Sequence, residues 1–245
     1  MTPEQLPFLA AGILAIAFLY SSVGHAGASG YIAVMSLFSL APEVIKPTAL
    51  ALNILVACLA SWQFWRAGYF SWPLFWPFAA LSFPLAFIGG YASLPTKAFK
   101  VLVGLVLLVS AARLLIRPPA DLKKTDPPRA AALSIGGGIG LLSGLTGTGG
   151  GIFLTPILLF RHWARARTAG AVSALFILVN SVAGLLGNLG ATRNFPTPAL
   201  ALIAAAAAGG AAGSYLGSHR LAHTGIKRML AVVLLIAGSK LILAR

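Results

Sequence analysis

Apolar residues fill this chain in long, charge-poor blocks rather than in short alternating stretches. The blocks cover residues 6–40, 47–65, 70–95, 98–117, 130–160, 168–192, 196–220 and 226–244. Because a helix needs about 20 apolar residues to cross a bilayer, six of the blocks fit one crossing each. The first and the fifth are long for one crossing and short for two. The pattern predicts an all-α polytopic membrane protein.

Glycine clusters interrupt both long blocks. GHAGASG occupies residues 24–30 in the first block, and GLTGTGGG occupies residues 144–151 in the fifth. Each glycine costs a helix about 1 kcal/mol relative to alanine, so the clusters predict non-helical backbone. The apolar stretch behind each cluster would reach about half-way through the hydrocarbon core as a helix. We therefore expect each long block to form a re-entrant, V-shaped helical hairpin.

The two halves of the chain repeat one another. SGYIAVMSLF at residues 29–38 matches GGIFLTPILL at 150–159, and TALALNILVA at 48–57 matches TAGAVSALFI at 168–177. We predict a single transmembrane transporter domain with repeats at residues 1–117 and 129–245, joined by a cytoplasmic linker at 118–128. Since a hairpin plus three transmembrane helices makes an odd number of crossings, the two repeats are expected to be inverted, as in many secondary transporters.

Basic residues favour this topology. If both long blocks return to the side they enter, twelve of the eighteen Lys and Arg residues lie on one face; if every block crosses, the split is nine and nine. Cytoplasmic loops are the more basic ones, so the hairpins are favoured and both termini are expected outside the cytoplasm. The formal net charge of +14 is accordingly interpreted as topology charge. We expect a multi-pass protein of the cell (inner) membrane, surrounded by lipid, with no nucleic-acid partner and all five tryptophans in an interfacial belt on the basic face.

The short helices that follow the glycine clusters point their free N–H groups toward the protein centre. Such helix ends attract anions, and glycine lets a ligand approach the backbone closely. Two facing clusters would present these groups to one small anion. Tight helix packing is the alternative interpretation of the glycines. The candidate substrate-binding residues are Gly24, His25, Ala28, Ser29, Gly30, Thr148, Gly149, Gly150 and Gly151.

Four further polar residues lie within or at the start of apolar blocks. Asn53 and Asn180 are expected to bridge neighbouring helices, to hold a loop carbonyl group or to bind a substrate oxygen. Lys46 and Arg167 begin the second helix of each repeat, where a cation opposes the helix dipole. They are expected either to mark the topology or to act as gating residues that draw anions toward the two entrances.

These segments resemble a known family. SVGHAGASGY, KPTALALN and SGLTGTGGGIFLTPIL, followed by TAGAVSALFILVNSVAG, are similar to the sulfite exporter TauE/SafE family of membrane permeases. The resemblance covers nearly the whole chain and implies transport of small sulfur-containing anions such as sulfite, sulfonates or related organosulfur acids. We expect a secondary transporter that exports its substrate by alternating access around a midplane anion site. A passive anion channel and a non-transporting membrane scaffold are the alternatives.

Catalysis and cofactors are not expected. The four acidic residues lie near block ends or in the linker, the chain has one cysteine, and TGTGGG lacks the Lys-Ser/Thr of a P-loop. We therefore expect no enzyme activity, no metal and no ATP drive. His25 is the candidate for proton coupling, because the unperturbed pKa of histidine, about 6.5, lies in the physiological range. We hypothesise that His25 is protonated as the anion enters, so that the loaded site is close to neutral; a neutral histidine bonded to the opposite loop is the alternative.

Overall fold

The structure of the protein is a computed structural model that describes residues 5–22, 25–92, 94–115, 125–193, 197–219, 231–232, 234–236, 238–239 and 241–243. All regular structure in these ranges is α-helical. The first half contains α1 (Gln5–Ser22), α2 (Ala28–Leu37), α3 (Pro42–Arg66), α4 (Trp72–Tyr91) and α5 (Thr96–Leu115). The second half contains α6 (Arg129–Thr146), α7 (Gly151–Phe160), α8 (Ala166–Thr192) and α9 (Thr197–His219), and the described residues beyond 230 are also helical. The prediction of an all-α protein is confirmed for this part of the chain.

Several helices have the length and composition of membrane spans. In the part of the chain that the structure describes, four qualify on both counts: Gln5–Ser22, Pro42–Arg66, Trp72–Tyr91 and Arg167–Thr192. Many large apolar side chains on these helices face outward, among them Phe8, Trp76 and Ile88. Lipid is the environment in which such a surface is stable, because the hydrocarbon core does not penalise exposed apolar groups. Gln5–Ser22 belongs to a block expected to form a hairpin, although its length alone would suffice for a crossing.

Both predicted helix breaks are present, but they are shorter than the glycine clusters. The first separates the end of α1 at Ser22 from the start of α2 at Ala28, so Ser29 and Gly30 belong to the first turn of α2. The second separates α6 from α7 at residues 147–150. Glycine therefore has two uses here, since some of the clustered glycines lie in the breaks and others lie inside helices.

The α2 helix turns back along α1. A Cβ atom on Gly12, early in α1, would lie 2.9 Å from Cγ1 of Val34, late in α2. Conversely, the hydroxyl of Tyr20, late in α1, hydrogen-bonds that of Ser29, early in α2, at 2.8 Å. Because the contact positions run in opposite directions along the two helices, α1 and α2 form an antiparallel pair joined at the first break.

Helices of the two halves pack against one another. From the first half, α4 packs on α6 and α8; from the second half, α9 packs on α1 and α3; α3 and α8 meet between them. Several of these contacts depend on glycine, because an added Cβ atom would collide with a carbonyl oxygen of the facing helix. These glycines are Gly136, Gly140 and Gly144 on α6, facing α4, and Gly209 and Gly213 on α9, facing α1.

Tryptophans divide into two groups. Trp62, Trp65, Trp72 and Trp76 are 49–60% exposed, as an interfacial belt requires. Trp163 is only 6% exposed, and its ring centroid lies 6.0 Å from that of Phe78. The expectation that all five tryptophans line the surface is therefore wrong for Trp163. Its ring packs into the core formed by α4, α6, α7 and α8, where it buries more apolar area than at the surface.

Candidate functional site

Asn53, on α3, lies at the centre of a buried polar network. Its Oδ1 accepts a hydrogen bond from the backbone N–H of Ala28 at 3.1 Å, and its Nδ2 donates to Oγ of Ser181 at 2.8 Å. The side chain is fully buried. The first N–H groups of a helix have no intrahelical acceptor, so Asn53 supplies one to the start of α2. A single amide thus connects α2, α3 and α8.

The break before α7 lies against the same amide. Gly149 and Gly150 have φ angles of 75° and 80°, in the left-handed region that disfavours any residue with a Cβ atom. A Cβ atom on Gly149 would collide with Nδ2 of Asn53 and lie 2.9 Å from Cγ2 of Ile177. The backbone at Gly149 therefore contacts the residue that also binds Ala28. The two breaks meet at Asn53.

Asn180 forms the second part of the network. It precedes Ser181 on α8, and its Oδ1 accepts a hydrogen bond from Oγ of Ser82, on α4, at 2.6 Å. Asn180 is fully buried, and its Nδ2 has no hydrogen-bond partner among the described residues. This Nδ2 lies 3.4 Å from the position that a Cβ atom on Gly150 would take. An uncommitted donor thus faces the backbone just before α7.

Three of the predicted residues near the first break, Ser29, Gly30 and His25, contact other residues of the protein. The hydroxyl of Ser29 is paired with that of Tyr20. A Cβ atom on Gly30 would lie 2.9 Å from the Tyr20 ring, so Gly30 permits close packing of α1 on α2. The backbone N–H of His25 donates to the carbonyl oxygen of Tyr20 at 2.9 Å. Gly24 lies outside the described residues.

Near the second break, two predicted residues are likewise held by their neighbours. The hydroxyl of Thr148 is 3.0 Å from that of Thr146, and both residues are buried. A Cβ atom on Gly151 would collide with Ile177, so this position is closed against α8. Of the second cluster, Gly149 and Gly150 are the residues that contact the asparagine side chains.

Lys46 binds the carboxyl end of another helix. Its Nζ donates to the carbonyl oxygens of Gly89, Gly90 and Ala92 at 3.2, 3.0 and 3.2 Å. The residue is only 6% exposed. The last carbonyl groups of a helix have no intrahelical donor and carry the negative end of its dipole, so the ammonium group caps α4. The same three contacts join α3 to α4.

Arg167 lies in a different environment. Its side chain is exposed, and the guanidinium donates to the hydroxyl of Tyr69 and lies over the Tyr69 ring, 5.0 Å from the centroid. Lys46 and Arg167 therefore have different environments, since the charge of Lys46 is buried against carbonyl groups and that of Arg167 lies at the surface. Within the described ranges, no three His, Cys, Asp or Glu side chains converge as a metal site would require.

Comparison with known proteins places the chain in a family. The family model described as "Sulfite exporter TauE/SafE" matches residues 8–241. This chain belongs to the TauE/SafE family. It is 42% identical over 240 residues to "Probable membrane transporter protein y4hK" of Sinorhizobium fredii (strain NBRC 101917 / NGR234), covering 96% of this chain and 97% of that relative. No solved structure matches this TauE/SafE chain significantly. Family and relative together identify a membrane transporter, and the resemblance seen in the sequence is confirmed.

Sequence reasoning missed two members of the network in this TauE/SafE protein, Ser82 and Ser181. A signal for each is nevertheless present. Ser82 is the one Ser, Thr, Asn or Gln in α4, and Ser181 forms with Asn180 an adjacent polar pair in a long apolar stretch of α8. Isolated polar groups at membrane depth need partners in the protein, because lipid offers none. The need for a partner could therefore have suggested hydrogen bonds between these serines and the two asparagines, Asn53 and Asn180.

Proposed function

We propose that this TauE/SafE protein is a secondary transporter of small sulfur-containing anions, namely sulfite, sulfonates or related organosulfur acids. The observation that carries the proposal is the meeting of the two helix breaks at Asn53, which binds Ala28 and contacts Gly149. Backbone at membrane depth leaves helical geometry only where protein or a cavity satisfies it. The family description supplies the substrate class, and export is the direction that it suggests.

The proposed architecture is two inverted repeats, residues 1–117 and 129–245, each a re-entrant hairpin plus three crossings. The antiparallel course of α1 and α2 supports the first hairpin. The contacts between halves also come in corresponding pairs: α4 on α6 matches α9 on α1, and α4 on α8 matches α9 on α3. A pseudo-two-fold axis between α3 and α8 would generate this pairing. Transporters with such repeats bind their substrates at the repeat interface near the midplane.

Neutral donors would hold the anion in this site. Two short helices start at the breaks. The Ala28 N–H of α2 is already bonded to Asn53, so the anion would be favoured by the positive ends of the two dipoles and by the N–H groups at the start of α7 that have no intrahelical acceptor. Asn180 adds an amide donor at the second break. Lys46 offers no free N–H donor to the site, because its Nζ is bonded to three carbonyl oxygens at the carboxyl end of α4. Transport by this site involves no bond making or breaking, so we propose no enzyme activity.

Flux measurements in liposomes test the proposed function. Purified protein is reconstituted, and the movement of sulfite and methanesulfonate is measured against protein-free liposomes. We expect saturable flux and counterflow, since a carrier exchanges substrate across the membrane through one site. Flux without saturation or counterflow would instead show a passive channel. Neither anion moving above the protein-free rate would contradict the proposal.

Two variants tie the flux to the site. Asn53→Leu removes the amide that joins the two breaks, and we expect it to lose most of the sulfite flux. Asn188→Leu removes another buried asparagine, on α8 two turns beyond Asn180, and is expected to retain it. If sulfite flux in Asn53→Leu equalled that in Asn188→Leu, the meeting point of the breaks would not be the transport site.

A further inference from the structure

We propose that Nδ2 of Asn180 and the N-terminal N–H groups of α7 form the subsite for one oxygen atom of the transported anion, and that Ser82 positions the Asn180 amide for this contact. The inference rests on the transport function proposed above. It adds the atoms that recognise the substrate and assigns a role to Ser82, which lies on a different helix from every other part of the subsite.

One amide group in the centre of the protein has an uncommitted donor. Asn180 is fully buried, and no described residue accepts a hydrogen bond from its Nδ2. The large majority of buried polar groups in proteins are hydrogen-bonded, and each exception requires an explanation. The other end of the same amide, Oδ1, accepts a hydrogen bond from Ser82. A site for an anionic oxygen is expected to contain such an N–H donor, which stays without a partner until the anion binds.

The open donor of Asn180 lies close to the start of α7. Nδ2 of Asn180 lies 3.4 Å from the Cβ position of Gly150, the residue that immediately precedes α7. Two apolar atoms, Cγ2 of Ile139 and Cε1 of Phe176, lie closer to that position, at 2.7 and 3.1 Å, so Nδ2 is the polar group of an otherwise apolar lining. The first i→i−4 bond of α7 runs from the N–H of Leu154 to the carbonyl oxygen of Gly150 at 3.2 Å. The N–H groups of Gly151 and Ile152 precede that bond, so they have no intrahelical acceptor. Donors from a side chain and from a helix start therefore lie around Gly150, which suits a negatively charged acceptor and disfavours a cation.

Ser82 determines which end of the Asn180 amide faces α7. Its Oγ donates to Oδ1 of Asn180 at 2.6 Å, across the contact between α4 and α8. With Oδ1 held toward α4, the NH₂ group points toward Gly150. Without this bond the amide can rotate by half a turn and present its oxygen to the anion, which would repel it. Ser82 is fully buried, so its contribution is made through Asn180 rather than by contact with solvent.

Equilibrium binding of sulfite and of methanesulfonate to purified, full-length protein in detergent tests the subsite. Asn180→Asp keeps the shape of the side chain and an acceptor for Ser82, but it replaces the donor by a carboxylate oxygen. We expect at least a tenfold loss of affinity for both probes. Asn180→Ala removes the donor without adding charge and should also weaken binding severalfold. The matched control is Asn188→Asp, a buried asparagine two turns further along α8, which should bind like the parent.

A double-mutant cycle tests the positioning role of Ser82. We expect Ser82→Ala to weaken binding severalfold in the parent and to have no further effect in the Asn180→Ala background, because its contribution passes through the amide. A purely structural role would give losses that add. Gel filtration of each variant confirms that it remains monodisperse.

The outcomes separate the two proposals. If the parent binds sulfite or methanesulfonate and both Asn180 variants bind with the parent's affinity, the subsite is overturned while the transport function stands. Additive effects of Ser82→Ala and Asn180→Ala would overturn the positioning role. If the parent binds neither probe and moves neither in liposomes, the transport function is overturned, and the subsite with it.

Discussion

Lys46→Met should destabilise the protein strongly, because the lysine caps α4 from a neighbouring helix. Its Nζ reaches three carbonyl oxygens, those of Gly89, Gly90 and Ala92. Methionine has a similar length and fills the same space, but it donates no hydrogen bond. The carbonyl groups of Gly89 and Gly90 would then lie buried without a donor. That of Ala92 is only partly enclosed, and water can replace the lysine there.

The size of the effect follows from these contacts. A buried polar group that loses its partner costs about 1–3 kcal/mol, so two carbonyl groups predict a loss of about 2–6 kcal/mol. The desolvation of the ammonium group, which opposes burial of the lysine in the parent, is relieved in the variant and keeps the loss near the lower end. For a protein of this size each kcal/mol lowers the melting temperature by about 2–4 °C, so we expect a decrease of roughly 5–15 °C.

Thermal unfolding in detergent, followed by tryptophan fluorescence, measures the decrease. Lys97→Met is the matched control. Because Lys97 is exposed, this variant should have the melting temperature of the parent. Lys46→Arg keeps the charge and the donors, so its melting temperature should fall less than that of Lys46→Met. A melting temperature for Lys46→Met equal to that of Lys97→Met would refute the capping role. If sulfite flux fell in that same variant, Lys46 would instead be a residue that attracts anions, which is the alternative drawn from the sequence.

Three further predictions concern the breaks, the topology and the coupling. Gly68→Ala should lower the free energy of unfolding by about 1–2 kcal/mol, because Gly68 has a φ of 74° and an added Cβ would meet open space. Gly149→Ala should lower it clearly more, because Gly149 has a φ of 75° and an added Cβ would also collide with the network. Equal losses in thermal melts would contradict this prediction. In a cysteine-free background, cysteines at Arg161 and Lys97 should react with a membrane-impermeant reagent from opposite sides, and labelling from one side would contradict the hairpins. Sulfite flux in the parent should fall as pH rises through neutrality, while His25→Gln should be slow and nearly independent of pH; a variant with the parent's rate and profile would contradict proton coupling at His25.

Much of the fold could be predicted from the pattern of apolar residues. Long apolar blocks become long helices, and two clusters of glycine end helices, because lipid and backbone geometry act on each segment locally. The exact ends of the breaks could not be predicted in this way. Gly30 and Gly151 lie inside helices, where they allow contact with Ile16 and Ile177, and a glycine that permits packing looks the same in a sequence as one that ends a helix.

The candidate site was only partly predictable, because its contacts join distant parts of the chain. Asn53 and Asn180 could be selected as polar residues in apolar spans, but their partners lie 128 and 98 residues away, at Ser181 and Ser82. Lys46 presents a further difficulty. Its partners are backbone carbonyl groups, which every residue possesses, so no side-chain pattern marks them.

Uncharged donors at the meeting point of the breaks suit a carrier that must release its substrate on the far side. A free lysine or arginine in a low-dielectric interior would hold a small anion by a strong Coulombic attraction and, once the anion left, would remain as a buried and unpaired charge. Amide and peptide N–H groups also bind an anion. When the site empties, leaving such a neutral group without a partner costs much less free energy than leaving a buried charge unpaired. The one buried lysine of the described residues fits this requirement, since Lys46 is fixed to the carboxyl end of α4 by three hydrogen bonds. In the proposed carrier, an empty site with neutral donors would then change its exposure from one side of the membrane to the other without moving a charged side chain of the site through lipid.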